Sequence, residues 1–244
     1  MSILNKLGQR AAKWMTDNRG IVVAATALPA SFVFEQARVG RDILYARFGA
    51  SPEKHDERVR EVQAQVRAWN AAGAERPMCT ARPPWLTMST RSSTYKQDCN
   101  QIEVDLRDIL EVDTDRMVVR VEPLVNMGQL SRYLVPMGYA LKVMVEMEDL
   151  TAGGLSMGLG METTCHRYGL LQETVVAYEI VTADGSLQRV TRESDPELFH
   201  ALPWSHGTLG FLVALELEIE RVKPYIRMKY VPCHSMKELC DKTY

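Results

Sequence analysis

A chain of 244 residues, 46% hydrophobic and 25% charged, is long enough to bury the core of one or two domains and has an ordinary globular composition. Its formal net charge of -2 supplies no overall basic field for nucleic acid, and no helix-turn-helix, zinc-finger or RNA-binding signature appears. The five cysteines (Cys79, Cys99, Cys165, Cys233 and Cys240) are odd in number and lack a CxxC pair, which argues against a disulfide framework or a zinc site and for unpaired thiols in a reducing compartment.

The N-terminal segment, residues 1–45, combines a basic stretch with an apolar one. Lys6, Arg10, Lys13 and Arg19 face the single acid Asp17, and "GIVVAATALPASFVF" (20–34) then runs fifteen residues without a charge. As a helix that run reaches about 22 Å, short of the ~30 Å hydrocarbon core, and Pro29 is expected to kink it. A short membrane anchor, an uncleaved signal-like segment and a basic organelle-targeting presequence all fit, as does a helix docked on the domain. Positive charge ahead of the run favours a cytoplasmic N-terminus.

After a linker at "FGASPEKHDE", the segment "ERVREVQAQVRAWNAAG" repeats Val59, Val62, Val66 and Trp69 at helical spacing, with Gly73 at the C-terminal cap. "CNQIEVDLRDILEVD" alternates Ile102, Val104 and Leu106 as a strand does, "TDR" turns, and "MVVRVEPL" alternates through Met117, Val119 and Val121, so an antiparallel pair is expected. "NMGQLSRYLVPMG" reads as a short helix capped by Asn126 and closed before Gly138. "VVAYEIVTADGSLQRVT" is a hairpin around Asp184-Gly185, and "SDPELFHAL" a helix capped by Asp195 with Pro196 at its first position. In "FLVALELEIERV" one face carries Phe211, Val213, Leu215, Leu217 and Ile219 and the other Glu216, Glu218 and Glu220, a strand with one wet side. The sum is an α+β fold.

Between the "NMGQLSRYLVPMG" helix and the hairpin lies "DLTAGGLSMGLGMETTCHRYGL", with four glycines from Gly153 to Gly160. "GLGMET" fails as a Rossmann fingerprint, because Thr163 stands where the third glycine belongs and a hairpin follows instead of a βαβ unit. A ligand-free tight turn is one reading. The other is a pyrophosphate cradle of open backbone amides, favoured by the lack of charge from Thr151 to Met161, the hydroxyls of Thr151, Ser156, Thr163 and Thr164, and a second glycine turn at "SHGTLG".

That segment, with "YEIVTADGS", "DPELFHALPWSHGTLGFLVA", "VDLRDILEVDTDRMVVRVEPLVNMGQL" and "RPPWLTMS", resembles the flavin-binding part of the delta(24)-sterol reductases, within the vanillyl-alcohol-oxidase/p-cresol-methylhydroxylase superfamily. The resemblance covers roughly residues 46–232. It implies a two-subdomain FAD-binding fold over 46–222, with 223–244 as the start of a truncated or missing substrate domain, and 1–45 at the place of the family's membrane anchor. It also implies that Thr151, Ala152, Gly153, Gly154, Leu155, Ser156, Met157, Gly158, Leu159, Gly160, Met161, Glu162 and Thr163 line FAD. Arg82 and Trp85 of "TARPPWLTMS" (80–89) add contacts from a first loop, and Gly207, Thr208 and Gly210 from a third. No histidine lies in that first loop, so covalent flavin attachment there is excluded.

The activity this resemblance implies is reduction of the sterol side-chain C24=C25 double bond, with NADPH supplying electrons through noncovalent FAD at the endoplasmic reticulum membrane; organelle targeting by the basic N-terminus is the alternative. Another flavin oxidase or dehydrogenase of the superfamily, or a catalytically idle membrane-associated remnant, stand as other readings. His166, Tyr168 and Glu162 lie where a proton donor could sit. Each also has a plainer role, as loop hydrogen-bonder, packing residue and ribityl or ribose ligand, so no catalytic residue is assigned. No metal is expected.

Overall fold

The structure, a computed structural model, describes residues 8, 12–83, 86 and 94–243. The chain divides into two compact units with the boundary between Arg60 and Glu61. The first is dominated by one long helix, α1 (Arg19–Gly49). Pro29 lacks the N–H an uninterrupted α-helix would use, and the irregularity it calls for appears as a π turn over Val23–Ala27, after which the helix continues. Ile21, Leu28, Phe32, Val33 and Phe34 lie exposed along it. The expected linker contracts to a break at Ala50–Ser51 and a single 3₁₀ turn at Pro52–Lys54.

Helix α2 (His55–Ala71) follows, with Val59, Val62 and Val66 buried as their spacing requires. It closes with Gly73 at φ +94°, where Gly73 N–H bonds Asn70 O and Ala74 N–H bonds Trp69 O, the paired bonds of a Schellman cap. Trp69 turns its Nε1–H to Arg76 O at 2.6 Å, bracing the exit.

The second unit holds two sheets. β1 (Met78–Thr80) and β2 (Asn100–Ile102) form a small parallel pair. The run that alternates Ile102, Val104 and Leu106 is not one strand. β2 ends at Ile102 and β3 begins at Ile109, because the backbone between them serves other partners: Leu124 N–H bonds Leu106 O, and buried Glu122 takes Asp108 N–H at 2.7 Å. β3 (Ile109–Asp113) and β4 (Val118–Val121) pair antiparallel as expected. With β8 (Phe211–Arg221), β6 (Val175–Val181) and β7 (Leu187–Thr191) they give the order β3-β4-β8-β6-β7, and β5 (Tyr139–Leu141) pairs with the far end of β8.

Helix α3 (Met127–Leu134) carries the full capping box, Asn126 Oδ1 accepting Gln129 N–H and Gln129 returning its carbonyl to Asn126 N–H. Gly138 ends that segment at φ +87°. The β6–β7 hairpin turns at Gly185 (φ +79°), and the helix Pro196–Ala201 is capped by Asp195 on Leu198 N–H. One core gathers Val119, Val121, Leu130, Leu155, Tyr178, Leu215 and Leu217 between the main sheet and the helices over it.

The expected wet face of β8 is corrected. β8 lies between β4 and β6, so Glu216 at its centre looks onto cations of neighbouring segments, while Glu218 stays partly exposed and Glu220 accepts from the Tyr168 hydroxyl. Glu216 is buried beneath Arg116 and Arg189, at 2.8 and 2.6 Å. Glu218 takes Lys142 at 2.8 Å, and Arg120 grips Glu179 of β6 with two 2.7 Å hydrogen bonds.

Candidate functional site

The glycine segment begins where two helix caps meet. Asn126 and Thr151 form an isolated bridge, Met127 N–H bonds Leu150 O and Ala152 N–H bonds Val125 O. Thr151 then caps the short helix α4 (Ala152–Met157), its Oγ1 accepting Gly154 N–H at 3.3 Å. Leu155 and Met157 go into the core, and buried Ser156 donates to Gly153 O. Gly153 lies against Pro123, whose carbonyl takes its N–H at 2.9 Å. A Cβ there would sit 2.6 Å from Pro123 Cβ. Gly160 meets Leu171 equally closely. These two glycines therefore serve internal packing, whereas Gly154 faces outward.

The amides from Ala152 to Leu155 all have partners within the protein. Open amides come later. Gly158 O accepts from Gln172 Nε2 (3.0 Å), Gly160 N–H donates to Gln172 Oε1 (3.2 Å), and Gly160 O accepts from Leu171 N–H (2.9 Å). Among the described residues, the N–H groups of Leu159, between these glycines, and of Met161, after them, have no protein acceptor. Leu159 and Met161 are themselves exposed.

Two more segments touch α4, one at each end. Arg82, from the loop after β1, donates through Nη1 to Thr151 Oγ1 at 3.3 Å. Burial pulls its guanidinium below the usual range and Asp149 opposes that, so it keeps its charge. The loop is held by Lys96, a buried residue whose ammonium donates to the carbonyls of Thr80 and Arg82. From the other side, His206 N–H bonds Met157 O at 2.9 Å, and its ring lies by Gly158. Trp204 and His206 both adopt positive φ in this turn, with Gly207 at +78°. Thr208 Oγ1 folds back on Ser205 O, and Gly210 abuts Val181 O. Trp85 lies outside the described residues.

The side chains weighed as proton donors are occupied. His166 Nδ1 sits 2.7 Å from Thr163 O. Tyr168 donates to Glu220, which pushes its hydroxyl pKa up, and it lies under Lys142 and Arg167. Glu162 accepts Thr163 N–H, a bond that holds its carboxyl below the usual range and leaves it an ionised acceptor at neutral pH. Burial, foremost, raises the Cys79 thiol, as expected of an unreactive cysteine. Gln172 and Lys96 carry no local sequence signature; only the fold shows what they hold.

These surroundings fit FAD. The open amides of Leu159 and Met161, the Arg82 guanidinium and the exposed Thr163 suit a pyrophosphate, and no acidic side chain interrupts 151–161. Comparison with known proteins agrees. Residues 57–191 match the FAD binding domain family. The chain is 45% identical over 224 residues to the Delta(24)-sterol reductase of Homo sapiens, covering 92% of this chain and 43% of that protein. It is 47% identical over 189 residues to the Arabidopsis thaliana enzyme of the same name, covering 76% and 33%. The chain thus spans less than half the length of the curated relatives it matches. The crystal structure of 6-hydroxy-D-nicotine oxidase from Arthrobacter nicotinovorans superposes with TM-score 0.54 at 21% identity, over 66% of this chain and 34% of that one, a likeness of the α+β fold. With its three converging segments and a match over more than half its length, the chain belongs to the FAD-binding domain family.

Proposed function

We propose that this chain is the flavin module of an NADPH-dependent enzyme of the delta(24)-sterol reductase type, holding FAD noncovalently and acting on the side-chain double bond of a sterol. The observation that carries the reading is the convergence of Arg82, the 151–163 segment and the 204–210 turn around Thr151 and Met157. FAD, when bound, supplies hydride transfer between the nicotinamide and the alkene. The chain's own residues bind and orient it. In this reading Arg82 offers charge to the pyrophosphate, the Leu159 and Met161 amides offer hydrogen bonds, Thr208, Gly207 and Gly210 close the far side, and Glu162 accepts from a ribityl or ribose hydroxyl. Trp85 is assigned to the flavin side by the resemblance. Residues 46–222 form the flavin domain, and 223–244 enter a substrate domain that would cover the exposed Tyr225, Ile226, Met228 and Tyr230.

The purified chain is expected to show a visible flavin band that denaturation releases into solution. Anaerobic NADPH should bleach that band and a sterol with an unsaturated side chain restore it once the remaining length of the relatives is supplied. A folded chain that stays colourless and does not retain added FAD would sink the flavin assignment. Bleaching that no such sterol reverses, in the complete assembly, would sink the sterol assignment.

We also place residues 1–45 at the endoplasmic reticulum membrane. Helix α1 is long and apolar enough to cross a bilayer by length and composition, and six large apolar side chains lie exposed over 20–34. The full chain is expected to float with phospholipid vesicles on a density gradient, and a variant lacking residues 1–45 to stay at the bottom. Equal flotation of the two would refute the anchor.

A further inference from the structure

Gln172 is buried at 4% exposure in the segment that leads into β6, and both ends of its side-chain amide are used on one stretch of backbone. Its Nε2 donates to Gly158 O and its Oε1 accepts Gly160 N–H. A primary amide offers the same donor and acceptor as a peptide group, so Gln172 pairs with the Gly158–Gly160 stretch as a neighbouring strand would. Leu171 N–H on Gly160 O extends the pairing by one bond. Among the described residues, the amide of Leu159, between the two glycines, and that of Met161, just after them, are left without a protein acceptor.

Gly160 has no room for a side chain against Leu171 and Leu155, so the stretch lies directly on the core while its flanking residues remain exposed. Without the Gln172 amide, Gly158 O and Gly160 N–H would need water or would turn outward to find it. The stretch would then no longer hold its free amides in one arrangement. Preorganised amides bind an anion without first paying to order themselves, and losing that order costs affinity.

We infer that Gln172 is a positioning residue for the cofactor, fixing the Gly158–Gly160 backbone so that the Leu159 and Met161 amides are presented together to the phosphate-bearing part of FAD. The inference rests on the proposed flavin reading and adds to it a residue that does not touch the ligand.

The test is FAD affinity of the full chain, followed by flavin fluorescence quenching, for wild type, Gln172→Leu and Gln172→Glu. Gln172→Leu is expected to bind at least about tenfold more weakly while keeping the wild-type far-UV circular dichroism. Gln172→Glu keeps the shape and tells a structural role from a positioning one. At pH 8 its carboxylate repels Gly158 O and binding should fall at least as far. Near pH 6 and below, a buried carboxyl takes up a proton, donates to Gly158 O again, and binding should recover. His206, beside Gly158, together with Glu162 and Glu173 nearby, is common to wild type and variant, so the wild-type pH profile removes their contribution. Wild-type affinity in Gln172→Glu at pH 8, or a deficit that acidification leaves unchanged, overturns the inference even if Gln172→Leu fails to fold. Absence of FAD binding by wild type would instead overturn the flavin reading itself.

Discussion

Gly153→Ala is expected to destabilise the second unit by about 1–3 kcal/mol, whereas Gly154→Ala, one residue on, should be near neutral or mildly stabilising. A Cβ at 153 would meet Pro123 Cβ at 2.6 Å and Pro123 O at 3.0 Å. Neither atom can swing aside. The proline ring is rigid, and the same carbonyl holds Gly153 N–H. Relief therefore comes only by moving α4 outward, which draws Leu155 and Met157 from the core and strains the bond from His206 N–H to Met157 O. At 154, among the described residues, the close neighbour is the Thr151 hydroxyl at 3.0 Å, which needs to give by only a few tenths of an ångström, and alanine's better helix propensity offsets it. Denaturant unfolding of both variants checks the contrast. Equal losses would show that the glycines are tuned to something other than the Pro123 contact. FAD affinity should fall in Gly153→Ala as well, because α4 connects Thr151 to the Gly158–Gly160 stretch.

The contrast also shows what could and could not be read from the sequence. A cluster of glycines marks a place where side chains are unwelcome, but it does not say whether protein or ligand is the close neighbour. Gly153 and Gly160 turn out to face protein, and the free amides fall on Leu159 and Met161, residues with ordinary side chains. Local elements were legible because their signals are local: the Asn126 cap, Asp195 before Pro196, and Gly185 in its hairpin all form as their residue types dictate. The Ile102–Leu106 alternation misled because Leu106 and Asp108 spend their backbone groups on Leu124 and Glu122, which no neighbouring residue announces. Arg82 was legible only through a family loop, and Lys96 and Gln172 were not legible at all. A buried lysine or glutamine that braces backbone has no distinguishing spacing, so its role appears only when distant segments come together.

The second large effect concerns the polar face of the main sheet. Arg120→Met is expected to cost about 2–3 kcal/mol, and the double variant Arg120→Met/Glu179→Leu to recover much of that loss. Arg120 and Glu179 lie on β4 and β6, on either side of β8, and their paired 2.7 Å bonds therefore span the central strand. The Glu179 side chain is 11% exposed and that of Arg120 28%, so water and salt screen them only in part. Removing the arginine alone takes two charged hydrogen bonds from a carboxylate largely withdrawn from water, whereas replacing both partners leaves apolar groups that pack over β8. A double-mutant cycle by denaturant unfolding measures the coupling, which should exceed about 1 kcal/mol. A coupling near zero would mean that the pair behaves as an ordinary surface ion pair and that this face is as wet as the alternation of glutamates in β8 first suggests. The geometry argues otherwise, because Arg116 and Arg189 close over Glu216 in the same way one strand nearer the centre. Alternation in a strand assigns its residues to two faces, but the strand's place in the sheet decides whether the charged face meets solvent or countercharge.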